Sequence, residues 1–248
     1  MQERSHNQRL SVDMMNIHGK IMFSSNGEIL NIGIGGILLA LPKVHGKLDP
    51  DKSCTVKLEG KDEALTIQGT VVRSELNEGY KDPRGKVIPV YTLALHFMNL
   101  TSKKITDIAD FIWRHVIASQ KQNSFTKNDI YKMSGLRMYI RFRIDAPENA
   151  TLHFFDSYKV KQIGLTGMLI ETEQALEIED KLPMEMTLPE NKRIMFLGRV
   201  VSCFLVDDTG PGRHEVGIEF LDMPEEDREK LNKFILLLHD VHESSSSI

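Results

Sequence analysis

Asn31-Ile32-Gly33-Ile34-Gly35-Gly36-Ile37-Leu38 and Gln162-Ile163-Gly164-Leu165-Thr166-Gly167-Met168-Leu169 are one pattern written twice. Each reads polar, isoleucine, glycine, aliphatic, small, glycine, aliphatic, leucine. The match extends in both directions. Upstream, Arg9-Leu10-Ser11-Val12-Asp13 parallels Arg141-Phe142-Arg143-Ile144-Asp145, with Asn31 22 residues after Arg9 and Gln162 21 after Arg141. Downstream, Gly69-Thr70-Val71-Val72 parallels Gly198-Arg199-Val200-Val201, and Tyr91–Phe97 (YTLALHF) parallels His214–Phe220 (HEVGIEF). Phe97 and Phe111 are 14 apart, as are Phe220 and Phe234. Four blocks in one order with a period of about 130 residues indicate a duplicated domain rather than a short solenoid repeat.

Within each repeat, short runs of alternating apolar residues are bounded by Gly, Asn, Asp and Pro, the pattern of small antiparallel strands. In the first they are expected around 12–23, 28–40, 54–59, 64–74 and 90–98. In the second they fall around 138–145, 150–156, 159–171, 184–188, 193–205 and 214–221. Each repeat closes on an amphipathic helix, at about 102–118 and 225–241. Thr101 or Ser102 caps the first. Pro224 and the acids Glu225, Glu226 and Asp227 open the second. Leu231, Phe234, Ile235 and Leu238 form its core-facing stripe. The expected fold is therefore mainly β with two helices (α+β): tandem small antiparallel β-barrels, each followed by a C-terminal helix. The polar stretch 119–134 reads as a linker between domains at 1–118 and 135–243. Asn77–Pro89 reads as a long hairpin loop, and 244–248 as a disordered tail.

Composition narrows the function classes. The 248 residues carry 41% hydrophobic and 27% charged side chains and a net charge of -4, so no global basic field draws the chain to DNA. No apolar run approaches the roughly 20 residues of a membrane span, and MQERSHNQRL has no apolar stretch of a secretion signal. Cys54 and Cys203 lack metal spacing and read as reduced, packed thiols. These features lead to an expectation of a cytoplasmic protein.

Asn31–Gly36 is not a dinucleotide fingerprint, because glycine is missing at Leu38 and no helix follows. No Gly-Lys pair is followed by the Ser or Thr of a phosphate loop. No nucleophile with a base and no paired acids stand out, and His239, His242 and Glu243 sit at a fraying helix end. The expectation is a protein that is not an enzyme and holds no cofactor or metal. Gly33, Gly36, Gly164 and Gly167 read as bulges or bends of a small barrel, which also let a ligand approach the backbone. The sharper feature is Arg137-Met-Tyr-Ile-Arg141, followed by Arg143. Planar guanidinium forks bind phosphate oxygens bidentately and stack on bases, so an Arg pair before the barrel suits a phosphate-rich ligand. The first repeat has Arg4 and Arg9, five apart, and no such pair.

At these residues the chain resembles the PilZ family of cyclic di-GMP receptors, in the two-domain arrangement of flagellar-brake-type proteins. The family pattern is RxxxR, then [D/N]-x-S-x-x-G about twenty residues later. Arg137–Arg141 matches the first part, and Gln162-x-Gly164-x-x-Gly167 stands where the second belongs. Asn31-x-Gly33-x-x-Gly36 occupies that place in the first repeat. Glycine replaces the serine in both, and neither repeat holds the whole pattern. The resemblance implies a cyclic dinucleotide ligand bound by Arg137, Arg141, Gln162, Gly164 and Gly167, with Arg143, Arg9 and Asn31 as further candidates. It also implies reorientation of the barrels and a protein partner, in motility or surface attachment. The alternative is a scaffold that binds no nucleotide and works through protein contacts or homodimerisation.

Overall fold

The computed structural model describes residues 9–42, 48–59, 64–81, 85, 87–117, 142–143, 149–207 and 212–245. The expected linker, 119–134, lies outside them. The first repeat contributes β1 (Leu10–Ser11), β2 (His18–Gly33), β3 (Gly36–Leu41), β4 (Ser53–Glu59), β5 (Ala64–Lys81), β6 (Val87–Phe97) and α1 (Ser102–Ile112). The second contributes β7 (Phe142–Arg143), β8 (Asn149–Ile163), β9 (Gly167–Thr172), β10 (Lys181–Leu188), β11 (Lys192–Asp207), β12 (Arg213–Asp222) and α2 (Glu225–Ser245). All the described strand pairs are antiparallel. The expected class, mostly antiparallel sheet with two helices, is the observed one.

The contacts group the chain in an order the repeats do not suggest. One unit is continuous, from Ser24 to Phe154; the other is split, combining the residues up to Phe23 with those from Phe155 onward. β2 and β8 therefore each serve both. In the continuous unit the strand order is β8-β4-β5-β6-β3-β2, and β8 pairs β2 in addition. The side chains of Ser24 and His153 meet at 2.8 Å there, and Thr151 donates to Asn26 at 3.0 Å. The split unit has the order β2-β10-β11-β12-β9-β8, and Val160 N donates to Ile17 O at 2.9 Å. Each list begins and ends on strands that pair, so each unit is a closed ring of six strands, which leaves no open sheet edge at the join.

Alternation fills the rings. Along β2, Ile21, Phe23, Ser25, Gly27 and Ile29 are buried while the residues between them are not. Along β8, Ala150, Leu152, Phe154, Tyr158 and Val160 play the same part. Leu39, Val56, Ile67 and Leu93 complete one core; Ile170, Met186, Ile194 and Val216 the other. Each such side chain contributes roughly 1.5–3 kcal/mol on burial. Cys54 is buried in the continuous unit, and burial pushes its thiol up to about 12. Cys203 is half-buried, and both thiols are free.

Several expected boundaries move. Ser24–Gly27 reads as a turn between two strands, yet β2 runs through it and the turn falls at Ile34–Gly35. β8 likewise runs unbroken across 157–158. The strand pairings outweigh the local turn preference of Ser, Asn and Gly. Asn77–Pro89 is mostly strand, because β5 and β6 extend their ladder to Lys81↔Val87. α1 begins where expected, with the Thr101 hydroxyl accepting from Lys104 N at 3.3 Å. It ends in a π-turn, Trp113–Ile117, and Trp113 is half-buried rather than core. α2 reaches Ser245, past the expected end at 241 and into the expected tail, since serine is a passable helix former.

Candidate functional site

A one-residue irregularity sets the stage in both repeats. If the inward phase of β2 continued past Ile29, Asn31 would point into the core. The ladder to β3 instead skips Leu30, pairing Ile29↔Leu39 and then Asn31↔Leu38. β8 does the same with β9: Val160↔Ile170, then Gln162↔Leu169, with Lys161 skipped. An extra residue reverses the inside-outside phase beyond it. Ile32 and Ile163 become the buried residues, and Asn31 and Gln162 stay half-exposed. The bulge precedes the glycines, which take the other of the two expected roles, a tight bend.

The glycines instead bracket a tight hairpin. Gly33 pairs Gly36 across Ile34–Gly35, and Gly164 N donates to Gly167 O at 2.8 Å across Leu165–Thr166. The turn is tied to the next strand in the same way in each repeat. Phe97 N donates to Gly35 O at 3.0 Å, and Phe220 N to Thr166 O at 2.9 Å. A Cβ on Gly167 would sit 2.3 Å from Ile218 O, so β12 itself demands the missing side chain there.

The lead-in segments complete the picture. β1 pairs β8 through Leu10↔Ile163 and Ser11↔Gln162. β7 pairs β2 through Asn31↔Arg143 and Ile32↔Phe142. Arg9 is exposed, one residue before β1. Arg137 and Arg141 lie outside the described residues, and of Arg143 only the backbone is described.

Charge differs sharply at the two bulges. Lys161 Nζ donates to Glu215 at 2.7 Å and lies 3.9 Å from Glu171. The hydrogen bond to Glu215 raises the Lys161 pKa above the ordinary lysine value, against a smaller cost of burial. Arg213 also reaches Glu171, at 3.7 Å. Nearby, Lys159 pairs with Asp13 and holds that carboxyl below its usual range. Sequence reasoning missed this cluster. Its signal was the alternation Lys159-Val160-Lys161 just ahead of Gln162, facing acids on β9 and β12.

Two clefts open elsewhere. One of about 320 Å³ in the split unit is lined by His18, Asp156, Tyr158, Lys159, Glu171 and Arg213. Its cations are already matched by acids, which leaves little surplus charge for an anion. The other, about 570 Å³, lies in the continuous unit among Asn26, Glu28, Pro42, Glu59 and Thr151. Neither is lined by Asn31, Gln162 or the motif glycines. Among the described residues no cluster of His, Cys, Asp and Glu could hold a metal ion, and no helix is long and apolar enough to cross a membrane.

Comparison with known proteins agrees with the duplication. A family model for the PilZ domain matches residues 3–113 and again residues 136–237. No curated protein matches the chain. Several solved structures are similar at low identity, three of them as follows. YcgR from Escherichia coli, in complex with c-di-GMP, is 11% identical, with 95% of this chain and 89% of that one covered and a TM-score of 0.31. The PlzA protein of Borreliella burgdorferi, also with c-di-GMP, is 12% identical, with coverage of 91% and 93% and a TM-score of 0.26. The inhibitor of motility MotI/DgrA of Bacillus subtilis is 12% identical, with coverage of 76% and 96% and a TM-score of 0.30.

Proposed function

The chain belongs to the PilZ domain family, and from that premise we propose that it is a non-catalytic receptor for cyclic di-GMP. The observation that carries this reading is that both repeats match the family model while Arg137-x-x-x-Arg141 stands at the head of the second. Arg137 and Arg141 hold the phosphates and stack on a guanine, with Arg143 and Arg9 as auxiliary cations. A carboxamide at the first motif position, Gln162 or Asn31, meets a base edge. Gly164 and Gly167, or Gly33 and Gly36, keep the backbone low beside it. The ligand orders the arginine segment, the geometry between the domains changes, and a protein partner in the cytoplasm reads the change.

A second reading has its own support. Glycine at positions 33 and 164, where the family pattern has serine, removes a hydroxyl from each motif. That favours a scaffold which binds no nucleotide and acts through protein contacts or homodimerisation. Calorimetry with cyclic di-GMP decides between them. The receptor reading expects binding, weakened at least about tenfold by Arg137→Ala and by Arg141→Ala, since each removes charge-assisted hydrogen bonds of about 1.5–3 kcal/mol. Absence of heat at high micromolar ligand, or affinity unmoved by both substitutions, overturns it in favour of the scaffold.

A further inference from the structure

The rings are closed, but two hairpins outrun them. The ladder of β10 to β11 ends at Lys181↔Arg199, whereas β11 and β12 stay paired out to Asp207↔Arg213. The next residue of that edge is still capped: Val200 N donates to Asp180 O at 3.0 Å, and Glu179 N donates to Val200 O at 2.9 Å. From Val201 to Asp207, no described strand pairs with that side of β11. The first repeat is built the same way. The ladder of β4 to β5 ends at Ser53↔Thr70. Val71 then donates to Lys52 O at 2.9 Å and accepts from Asp51 N at 2.8 Å. Beyond it, among the described residues, β5 continues with β6 alone, to Lys81↔Val87.

The side chains along these two open edges differ. The match that aligns Gly69 with Gly198 sets Arg73, Glu75 and Asn77 against Ser202, Phe204 and Val206. Leucine stands at the matched positions 76 and 205 in both. Arg73 and Glu75 are exposed and lie 3.5 Å apart. Charges of this kind on an edge strand keep other strands off it. In the second repeat no charged residue stands from Val201 to Val206, and Phe204, Leu205 and Val206 are 67%, 56% and 54% exposed. Exposed apolar side chains thus flank a row of backbone groups with no ladder partner among the described residues. Such an edge takes up an added strand through main-chain hydrogen bonds.

We propose that this edge joins two copies of the chain: Val201–Asp207 of each pairs antiparallel with the same stretch of the other, about a two-fold axis at Phe204. Phe204 is the midpoint of the open stretch, so this register uses all of it. Cys203 of one copy then faces Leu205 of the other, Ser202 faces Val206, and the two Phe204 rings meet at the axis. Apolar and aromatic cross-strand pairs are favourable, and no like charges are opposed. The same pairing about Glu75 in the first repeat would set carboxylate against carboxylate. A strand of foreign sequence is selected by charges or pockets, and Val201–Val206 offers no charge for that purpose. Self-complementarity needs none, and a two-fold contact closes on itself once both copies are engaged. The inference goes beyond the ligand question: it holds whether the chain is a receptor or a scaffold.

Sedimentation velocity of the full chain tests it, from about 1 μM to about 1 mM, the span in which small interfaces assemble. A monomer–dimer equilibrium is expected. Phe204→Glu gives the second repeat the residue of the first and should weaken dimerisation at least about tenfold. Leu76→Glu should leave it unchanged, and both variants should unfold within about 2 °C of the parent. A second measurement stands even if Phe204→Glu does not fold. Cys203→Ser with Phe204→Cys should close an intermolecular disulfide on mild oxidation, because directly opposed Cα atoms in an antiparallel pair lie about 4.5–5.5 Å apart, within disulfide reach. Cys203→Ser with Leu76→Cys should not. A chain that stays monomeric over the whole range overturns the proposal. So does a dimer that a folded Phe204→Glu variant leaves intact, or cross-linking that position 76 gives as readily as position 204.

Discussion

The continuous unit and the split unit share one plan, but they seal differently where β2 meets β8. In the split unit a Cβ on Gly19 would lie 2.2 Å from the Tyr158 ring and 2.3 Å from Glu185 O. The ring lies across the bare backbone, 2% exposed, and its hydroxyl donates to Glu185 O at 3.0 Å. In the continuous unit the equivalent positions are Ala150 and Gly27. There Leu41 closes over Gly27, where a Cβ would meet its Cδ2 at 2.4 Å. One seal uses an aromatic ring against a glycine, the other a leucine from β3. Each glycine is covered by a side chain of a different element, so close packing over the bare backbone is met in two ways.

The largest test of the comparison is to separate the repeats. A cut within 119–134 follows the sequence but not the rings. Residues 1–134 would lack the β8 segment with Ala150, Leu152 and Phe154, and residues 135–248 the β2 segment with Ile21 and Phe23. The missing apolar residues are worth roughly 1.5–3 kcal/mol each, against a whole-domain stability of about 5–15 kcal/mol. Neither fragment should give a cooperative thermal transition by circular dichroism, and mixing the two should restore one. Cooperative melting of both fragments alone would break the two-ring description.

Next in size is Gly19 against Ala150. Gly19→Val drives a branched side chain into a backbone oxygen and a buried ring, and should cost at least about 3 kcal/mol by chemical denaturation. Ala150→Gly only empties a methyl and loosens a strand, about 1 kcal/mol. Similar losses at the two positions would mean that the seals are not different in kind.

The smallest effect concerns the bulges. Lys161→Ile gives the second bulge an aliphatic residue, as the first has in Leu30, and should change stability at neutral pH by no more than about 1 kcal/mol. The sign of its pH dependence is the sharper readout. The Lys161 pKa is raised in the fold, so its contribution is complete below the unfolded lysine value and is lost as pH rises through the folded one. The parent should lose more stability than Lys161→Ile on the alkaline limb of a denaturation series. Parallel limbs would show that the Lys161–Glu215 pair is energetically silent.

The repeat, the strand class, both helix starts and the polar-glycine motifs were legible because each depends on local alternation and spacing. The exchange was not. Ser24-Ser25-Asn26-Gly27 is a good turn by its own chemistry; what overrides it is pairing with residues more than 120 positions away, such as Ser24 with His153. Ser25, 4% exposed, sits on the inward phase although its type favours the surface. At the site, the polar residues Asn31 and Gln162 could be picked from the pattern, but not the bulges that turn them outward. A bulge is a property of two strands. The partner of each lead-in was equally hidden, because spacing places Phe142–Arg143 before the motif of its own repeat and the ladder of β7 pairs it with Asn31–Ile32 of the other.

Ile21 pairs with Met184, and that register has a consequence for synthesis. At about 5–20 residues per second, the ribosome needs on the order of 8–30 s to make the 163 residues from Met22 to Met184. Throughout that time His18–Phe23 has no ring of its own to join, while β2 and β3 can already form their hairpin. The nascent chain thus carries an unpaired apolar strand near its start. Crowded polysomes would offer it the same β10 edge from a neighbouring copy, so the protein's yield should depend on how fast its second repeat follows its first.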